Sequence, residues 1–376
     1  MKTFNADNIR TKRNYYEFLK EAKRLSEDSV DAAMGSIDRF ETYNKFKDFK
    51  TFCQEQAIGF KKHLAQEKNK QTGKLLSKST QSATLKELKK FFEWLCHQSG
   101  FKSRFTFTDA SYFNMSLKDT RVANASWVKA SPDIEQVKHA ISKMPSGTAI
   151  ELRNRALMAF TLLTAARVGA LASAKIKHVD LSDRLFMQDA REVNTKFSKT
   201  FPTYFFPVGD EIIQIVRDWI QYLKLELLWG PDDPLFPTTK IEQGETQQFE
   251  VTGLERTHWG STSPIRKIFK EAFINAGLPN FNPHSFRNTL VRYGQKMCKG
   301  DGEAMKAWSQ NLGHESIMTT SLIYGAISPE RQGEVIKSLQ LGDKDVNSEL
   351  DRLVTAVAQR LERQGSSLKA GVQHDD

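Results

Sequence analysis

Apolar residues recur at helical spacing through the front of the chain. Tyr15, Phe18, Leu19, Ala22 and Leu25 share a stripe within residues 11–46, and Phe52, Phe60 and Leu64 share one within Phe49–Glu67. A third set, Leu85, Leu88, Phe91, Phe92 and Leu95, lies within Thr80–Ser99. Each spacing predicts an amphipathic helix with its apolar stripe on a core. The polar stretch Lys68–Ser79 reads as a loop. Asp109–Ala130 keeps no period, which places a linker there, at residues 116–130.

A second set of elements opens at Ser131-Pro132-Asp133, where Ser is a good N-cap, Pro suits the first helical turn and Asp favours the positive end of the helix dipole. Helical spacing continues through Ala174. Val179–Phe206 turns strand-like, in short runs broken at Asp183-Arg184 and at Asn194–Thr200, and predicts a small antiparallel sheet with an exposed Lys-bearing turn. Glu211–Leu228 is helical again, residues 231–263 read as a long polar loop, and helices resume from Pro264 to about Leu341. A tail follows in which Val346, Leu350, Leu353, Val357 and Leu361 share one face. The fold class predicted is mainly α with a small antiparallel β-sheet. The clusters Phe91-Phe92-Trp94 and Tyr204-Phe205-Phe206 read as core.

Charge adds a partner to this picture. The 376 residues carry a net charge of +10, and residues 1–128 hold 24 Lys and Arg against 15 Asp and Glu, or +9 of that total. A basic front segment suits a polyanion, because neutralised phosphates release counterions. Lys61, Lys62, Lys86, Lys89, Lys90 and Lys199 are the candidates for phosphate contacts. The cysteines Cys53, Cys96 and Cys298 show no metal spacing, and a reduced, cytoplasmic protein with buried thiols is expected. No apolar run approaches a membrane span of about 20 residues.

Four segments carry chemistry: Thr164-Ala-Ala-Arg167-Val-Gly-Ala-Leu171, Asn194-Thr-Lys196-Phe-Ser-Lys199, Pro283-His284-Ser-Phe-Arg287, and Leu312-Gly-His314 followed by Tyr324. Guanidinium forks grip phosphate in bidentate fashion. His and Lys move protons, and a phenol attacks once its proton is accepted. No Asp/Glu cluster suggests a two-metal site, and no cofactor is expected.

In this order and spacing the segments resemble the tyrosine recombinase (phage-type integrase) family. That family has an Arg in a T-G-x-R-like box, a Lys on a β-hairpin turn, an H-x-x-R box, then L-G-H and a Tyr on the next helix. The resemblance covers roughly residues 130–340, and residues 40–110 are similar in pattern to the family's helical core-binding domain. It implies that Arg167, Arg287 and His314 hold the scissile phosphate and that Tyr324 attacks it to give a 3′-phosphotyrosyl intermediate. Lys196 would protonate the departing 5′-oxygen, with Lys199 on the same turn as the alternative, and His284 would assist. Ala170 stands where the family often has an acidic residue, and Asn288 where it often has His.

The implied organisation is a core-binding domain over residues 1–115, with residues 1–40 an extra N-terminal helix. The linker 116–130, a catalytic domain over 131–341 and a helical tail over 342–376 complete it. The implied partners are double-stranded DNA attachment sites, three further copies in a tetramer on paired sites, and an accessory directionality factor. The implied task is integration or excision of a mobile element. Two other readings stay open, a type IB topoisomerase-like enzyme and a non-catalytic DNA-binding protein of the same fold. Taken singly, Arg167 also reads as an interior ion-paired residue, Arg287 as a surface helix residue, the two lysines as a solvated hairpin tip and Tyr324 as core. The tail could pack on its own domain or dock on a neighbouring protomer.

Overall fold

A computed structural model describes residues 4–125, 130–244, 247–299 and 301–314. The chain divides into two compact units, Met1–Ser126 and Trp127–Asp376.

The first unit is helical: α1 (Ala6–Glu17), α2 (Glu27–Tyr43), α3 (Gln54–Gln66), α4 (Lys78–Leu95), α5 (Phe107–Ala110) and α6 (Leu117–Asn124). Polar caps set the starts. Asn5 accepts from the backbone N–H groups of Asp7 and Asn8, and Ser77 accepts from that of Thr80. Phe40 on α2 is the hub of the core, its ring 5.2 Å from Phe60, 5.4 Å from Phe92 and 5.4 Å from Phe113, all near edge-on.

Residues 11–46 are not one helical run. After a π-helical turn at Phe18–Ala22 the chain breaks before α2, with Arg24 left-handed at φ 52° and Leu25 exposed despite its place on the stripe. Tyr15, Ile37 and Phe40 from α1 and α2 are built into the core of the unit. The expected linker holds α6, which lies against α4 and is tied to it by a Lys78–Asp119 ion pair at 2.9 Å. None of its side chains is buried, so no apolar period marked it. Cys53 is exposed, against the expectation of buried thiols, while Cys298 is buried.

The second unit begins with α7 (Ile134–Lys143), α8 (Ala149–Thr164) and α9 (Val168–Ser173). The three-stranded antiparallel sheet follows as β1 (Val179–Asp180), β2 (Leu185–Gln188) and β3 (Phe201–Tyr204), paired in that order with Phe186 opposite Thr203. Then come α10 (Asp210–Leu225), β4 (Thr238–Gln243), β5 (Phe249–Glu255), α11 (Ser263–Asn275), α12 (Ser285–Met297) and α13 (Gly302–Asn311). The central helix is α8, buried at every position from Ala156 to Thr164. Burial on all sides explains why its pattern is a continuous apolar run instead of a stripe.

The cap of α7 is Asp133, in a reciprocal capping box with Gln136, and not Ser131. The carbonyls of Ser131 and Pro132 instead accept from Arg292 and Thr289, pinning the entry of the unit onto α12. The stretch read as a long polar loop contains the β4–β5 hairpin. Most of its side chains face solvent, so it lacks the apolar face that betrays a strand in sequence. Phe206 is core as expected, whereas Tyr204 is exposed on the outward side of β3. No helix among the described residues is long and apolar enough to cross a membrane.

Candidate active site

The end of α8 creates the first half of the site. The Thr164 hydroxyl donates to the Phe160 carbonyl at 2.7 Å and accepts from the Ala166 N–H at 3.2 Å. Ala165 takes a left-handed φ of 51°, a conformation costing a non-glycine residue about 1 kcal/mol. The chain thereby reverses sharply, the Ala165 carbonyl is presented inward, and Arg167 becomes the first residue before α9.

Arg287 completes it from α12. The side chain is 3% exposed, so it is no surface helix residue. Its Nη1 donates to the Ala165 carbonyl at 2.7 Å, and its Nη2 donates to the Leu312 carbonyl and meets His314 Nε2 at 3.0 Å. One guanidinium therefore clamps the turn before Arg167 to the turn before His314. Gly313 is at φ +69°, and a Cβ there would lie 2.5 Å from the Phe201 ring on β3. That double constraint is the physical reason for glycine between Leu312 and His314.

A guanidinium only donates, so His314 Nε2 accepts from Arg287 and the imidazole is neutral with its proton on Nδ1. Burial first, then the positive charges of Arg287, Arg167 and His284, pushes His314 down to about 4. These four groups therefore sit close enough to feel one another. His284 is exposed at the start of α12, and Arg167 is half-buried.

A pH dependence follows. His314 titrates near 6.5 in the unfolded chain and near 4 when folded, so it stabilises the fold fully above about pH 6.5. That contribution, about 3 kcal/mol at most, is lost as pH falls from 6.5 towards 4. Chemical denaturation at stepped pH is expected to show this slope in the wild type and a shallower one in His314→Gln; equal slopes would refute it.

Both lysines flank the exposed Phe197 ring, with Lys199 Nζ 5.9 Å from its centre. Lys196 is at the exposed tip, its Nζ 4.7 Å from the centre of the Phe197 ring. Lys199 lines a cavity of about 670 Å³ with Phe201, Gln310, Gly313 and His314. The base of their turn is anchored by residues that sequence reading missed. Glu192 binds Lys177 at 2.9 Å and His178 Nε2 at 2.8 Å, which hold its carboxyl down at about 2, and the Asn194 N–H donates to Ser173 Oγ at 2.8 Å. His178 Nδ1 accepts from the Lys175 N–H, which fixes the proton on Nε2. No local motif announces these pairings, because Glu192 lies fourteen residues beyond His178. Ala170 is buried in the core of the unit.

In the first unit Lys61 donates to the Asn114 carbonyl at 3.2 Å and Lys89 to its side chain at 3.1 Å, so α3 and α4 bring these two cations together. Lys90 is paired with Glu87 at 2.7 Å, and Lys62 and Lys86 are exposed. Tyr324 and the tail from residue 342 lie outside the described residues.

The sequence pattern described as the phage integrase family matches residues 132–331, more than half of the chain. The chain belongs to the phage integrase family. Among its relatives, tyrosine recombinase XerC of Lactobacillus leichmannii is 24% identical over 254 residues, 67% of this chain and 73% of that protein. The fold is that of the XerH site-specific recombinase (TM-score 0.57, 15% identity, 88% of this chain and 85% of that one). It is equally that of a lambda integrase (TM-score 0.56, 15% identity, 84% of this chain and 94% of that one). As a member of this family, the chain is a tyrosine recombinase, an enzyme of site-specific DNA recombination.

Proposed function

We propose that the protein cuts and rejoins double-stranded DNA at attachment sites of a mobile element through a 3′-phosphotyrosyl bond to Tyr324. The observation that carries this reading is the clamp of Arg287 on Ala165, Leu312 and His314, which holds two guanidinium groups and a neutral imidazole from three separate segments around one point. A phosphate arriving there brings negative charge to the guanidinium groups of Arg167 and Arg287. Its charge offsets theirs, which moves His314 back up towards the ordinary imidazole range as the substrate binds. Preorganised donors stabilise charge growing on the non-bridging oxygens without reorganisation at the moment of reaction.

Tyr324 attacks phosphorus, the P–O bond to the 5′-oxygen breaks, and the freed 5′-hydroxyl later reverses the step on a new partner strand. Because the phosphodiester energy is kept in the phosphotyrosine, rejoining requires no nucleotide hydrolysis. Lys199, lining the cavity beside His314, is the better-placed donor of a proton to the departing 5′-oxygen than Lys196. Lys199→Ala is expected to slow cleavage about 10²-fold or more, and Lys196→Ala to leave it near wild type. A substrate with sulfur at the 5′-bridging position, whose leaving group needs no proton, should rescue Lys199→Ala. Lack of rescue would remove Lys199 from that role.

The first unit, with Lys61 and Lys89 gathered at Asn114, is read as the core-binding domain that contacts DNA backbone phosphates. A lambda integrase has been seen as a tetramer bound to a Holliday junction. The same assembly on paired sites, joined by a directionality factor, is proposed for this chain. The test is incubation with nicked duplexes carrying the candidate attachment sequence, in EDTA, followed by a denaturing gel. A covalent protein–DNA adduct is the expected product; binding without an adduct would favour a non-catalytic DNA-binding protein, and adducts on any sequence a topoisomerase.

A further inference from the structure

Arg153 sits on the second turn of α8 and is 2% exposed, yet it forms no ion pair with any described residue. Its acceptors are all neutral. Nη1 donates to the Pro237 carbonyl at 2.9 Å and to Thr239 Oγ1 at 3.0 Å, and Nε and Nη2 both donate to Asn154 Oδ1, at 3.1 and 2.8 Å. The guanidinium also lies 4.8 Å from the centre of the Trp259 ring. Burial pushes Arg153 down to about 10, which leaves it charged at neutral pH.

A buried charge is ordinarily paired, because hydrogen bonds alone do not replace the lost hydration of an ion. Here the side-chain acceptor that grips the guanidinium is an amide, where a carboxylate would neutralise it. A second polar group beside it is also unanswered, since Trp259 Nε1 is buried and has no hydrogen-bond partner. Both residues line one cavity of about 600 Å³, with Thr239, Ser261, Lys267 and Glu271. Ser261 Oγ accepts from the Ser263 N–H, so its own proton is left to donate. Lys267 and Glu271 are 3.7 Å apart at the exposed rim and offset one another.

We propose that this cavity binds a phosphate-type oxyanion, with Arg153 supplying the charge and the Trp259 indole and Ser261 hydroxyl supplying further donors. Arg153 and Thr164 are eleven residues apart on α8, about 16 Å along its axis, so the site is separate from the one around Arg287. It stands independently of the cleavage chemistry. The oxyanion is either free phosphate or a backbone phosphodiester of DNA, and one experiment distinguishes them.

Full-length protein carrying ¹⁵N-tryptophan would be titrated at constant ionic strength with inorganic phosphate and, separately, with a short duplex. The Trp259 indole resonance would be assigned by its absence in Trp259→Phe. A saturable shift with both titrants identifies a site open to free phosphate; a shift with duplex alone identifies the DNA backbone as the source. Asn154→Asp places a carboxylate on the guanidinium, and it is expected to weaken either response about tenfold or more while raising Tm. No saturable shift with either titrant, or an equal response in Asn154→Asp, would overturn the site.

Discussion

Arg287→Ala is expected to reduce the rate of strand cleavage by about 10²–10³-fold, the usual consequence of removing one preorganised donor from a developing oxyanion. The structure adds a second loss. Arg287 donates to the buried carbonyls of Ala165 and Leu312, and its removal leaves both without that donor, at about 1–3 kcal/mol each. The turn before Arg167 and the turn before His314 would then no longer be tied together, so the variant should fall in Tm as well as in rate. Arg287→Lys separates the two effects, since an ammonium keeps the charge but cannot span both carbonyls as a fork does. Single-turnover cleavage of a nicked duplex, a mobility-shift assay and a melting curve on each variant would check this. Cleavage within about tenfold of wild type in Arg287→Ala would remove Arg287 from the chemistry.

Tyr324→Phe is expected to abolish the covalent adduct outright while leaving DNA affinity within a few tenths of a kcal/mol of wild type. The phenol oxygen is the atom that would bond to phosphorus, and phenylalanine has nothing to replace it. The loss should therefore be complete and not graded as for a supporting donor. A denaturing gel after incubation with labelled nicked duplex reads the adduct, and peptide mapping of the wild-type product locates it. An adduct that survives in Tyr324→Phe would transfer the nucleophile to another residue.

The order of the chemical groups and the class of fold are legible in local sequence pattern alone. The boxes around Arg167, Arg287 and His314 are short, local and correctly spaced, and helical periodicity marked α3 and α4 because each buries one face. Glycine at position 313 was legible as part of a box, although its reason was not. The pairings between residues far apart in sequence come from the path of the folded chain. Arg287 alone reads as easily as a surface residue; it is buried because the left-handed turn at Ala165, 122 residues away, turns a carbonyl toward it. That Lys199 lines a cavity with His314 is likewise a matter of strand path and not of composition. The β4–β5 hairpin reads as loop because strands that bury neither face leave no alternation to detect. Arg153 and Trp259 belong to no motif, and a missing counter-charge exists only in three dimensions. Local pattern records which face of an element is apolar; it does not record what that face meets, and the chemistry of this site depends on the meeting.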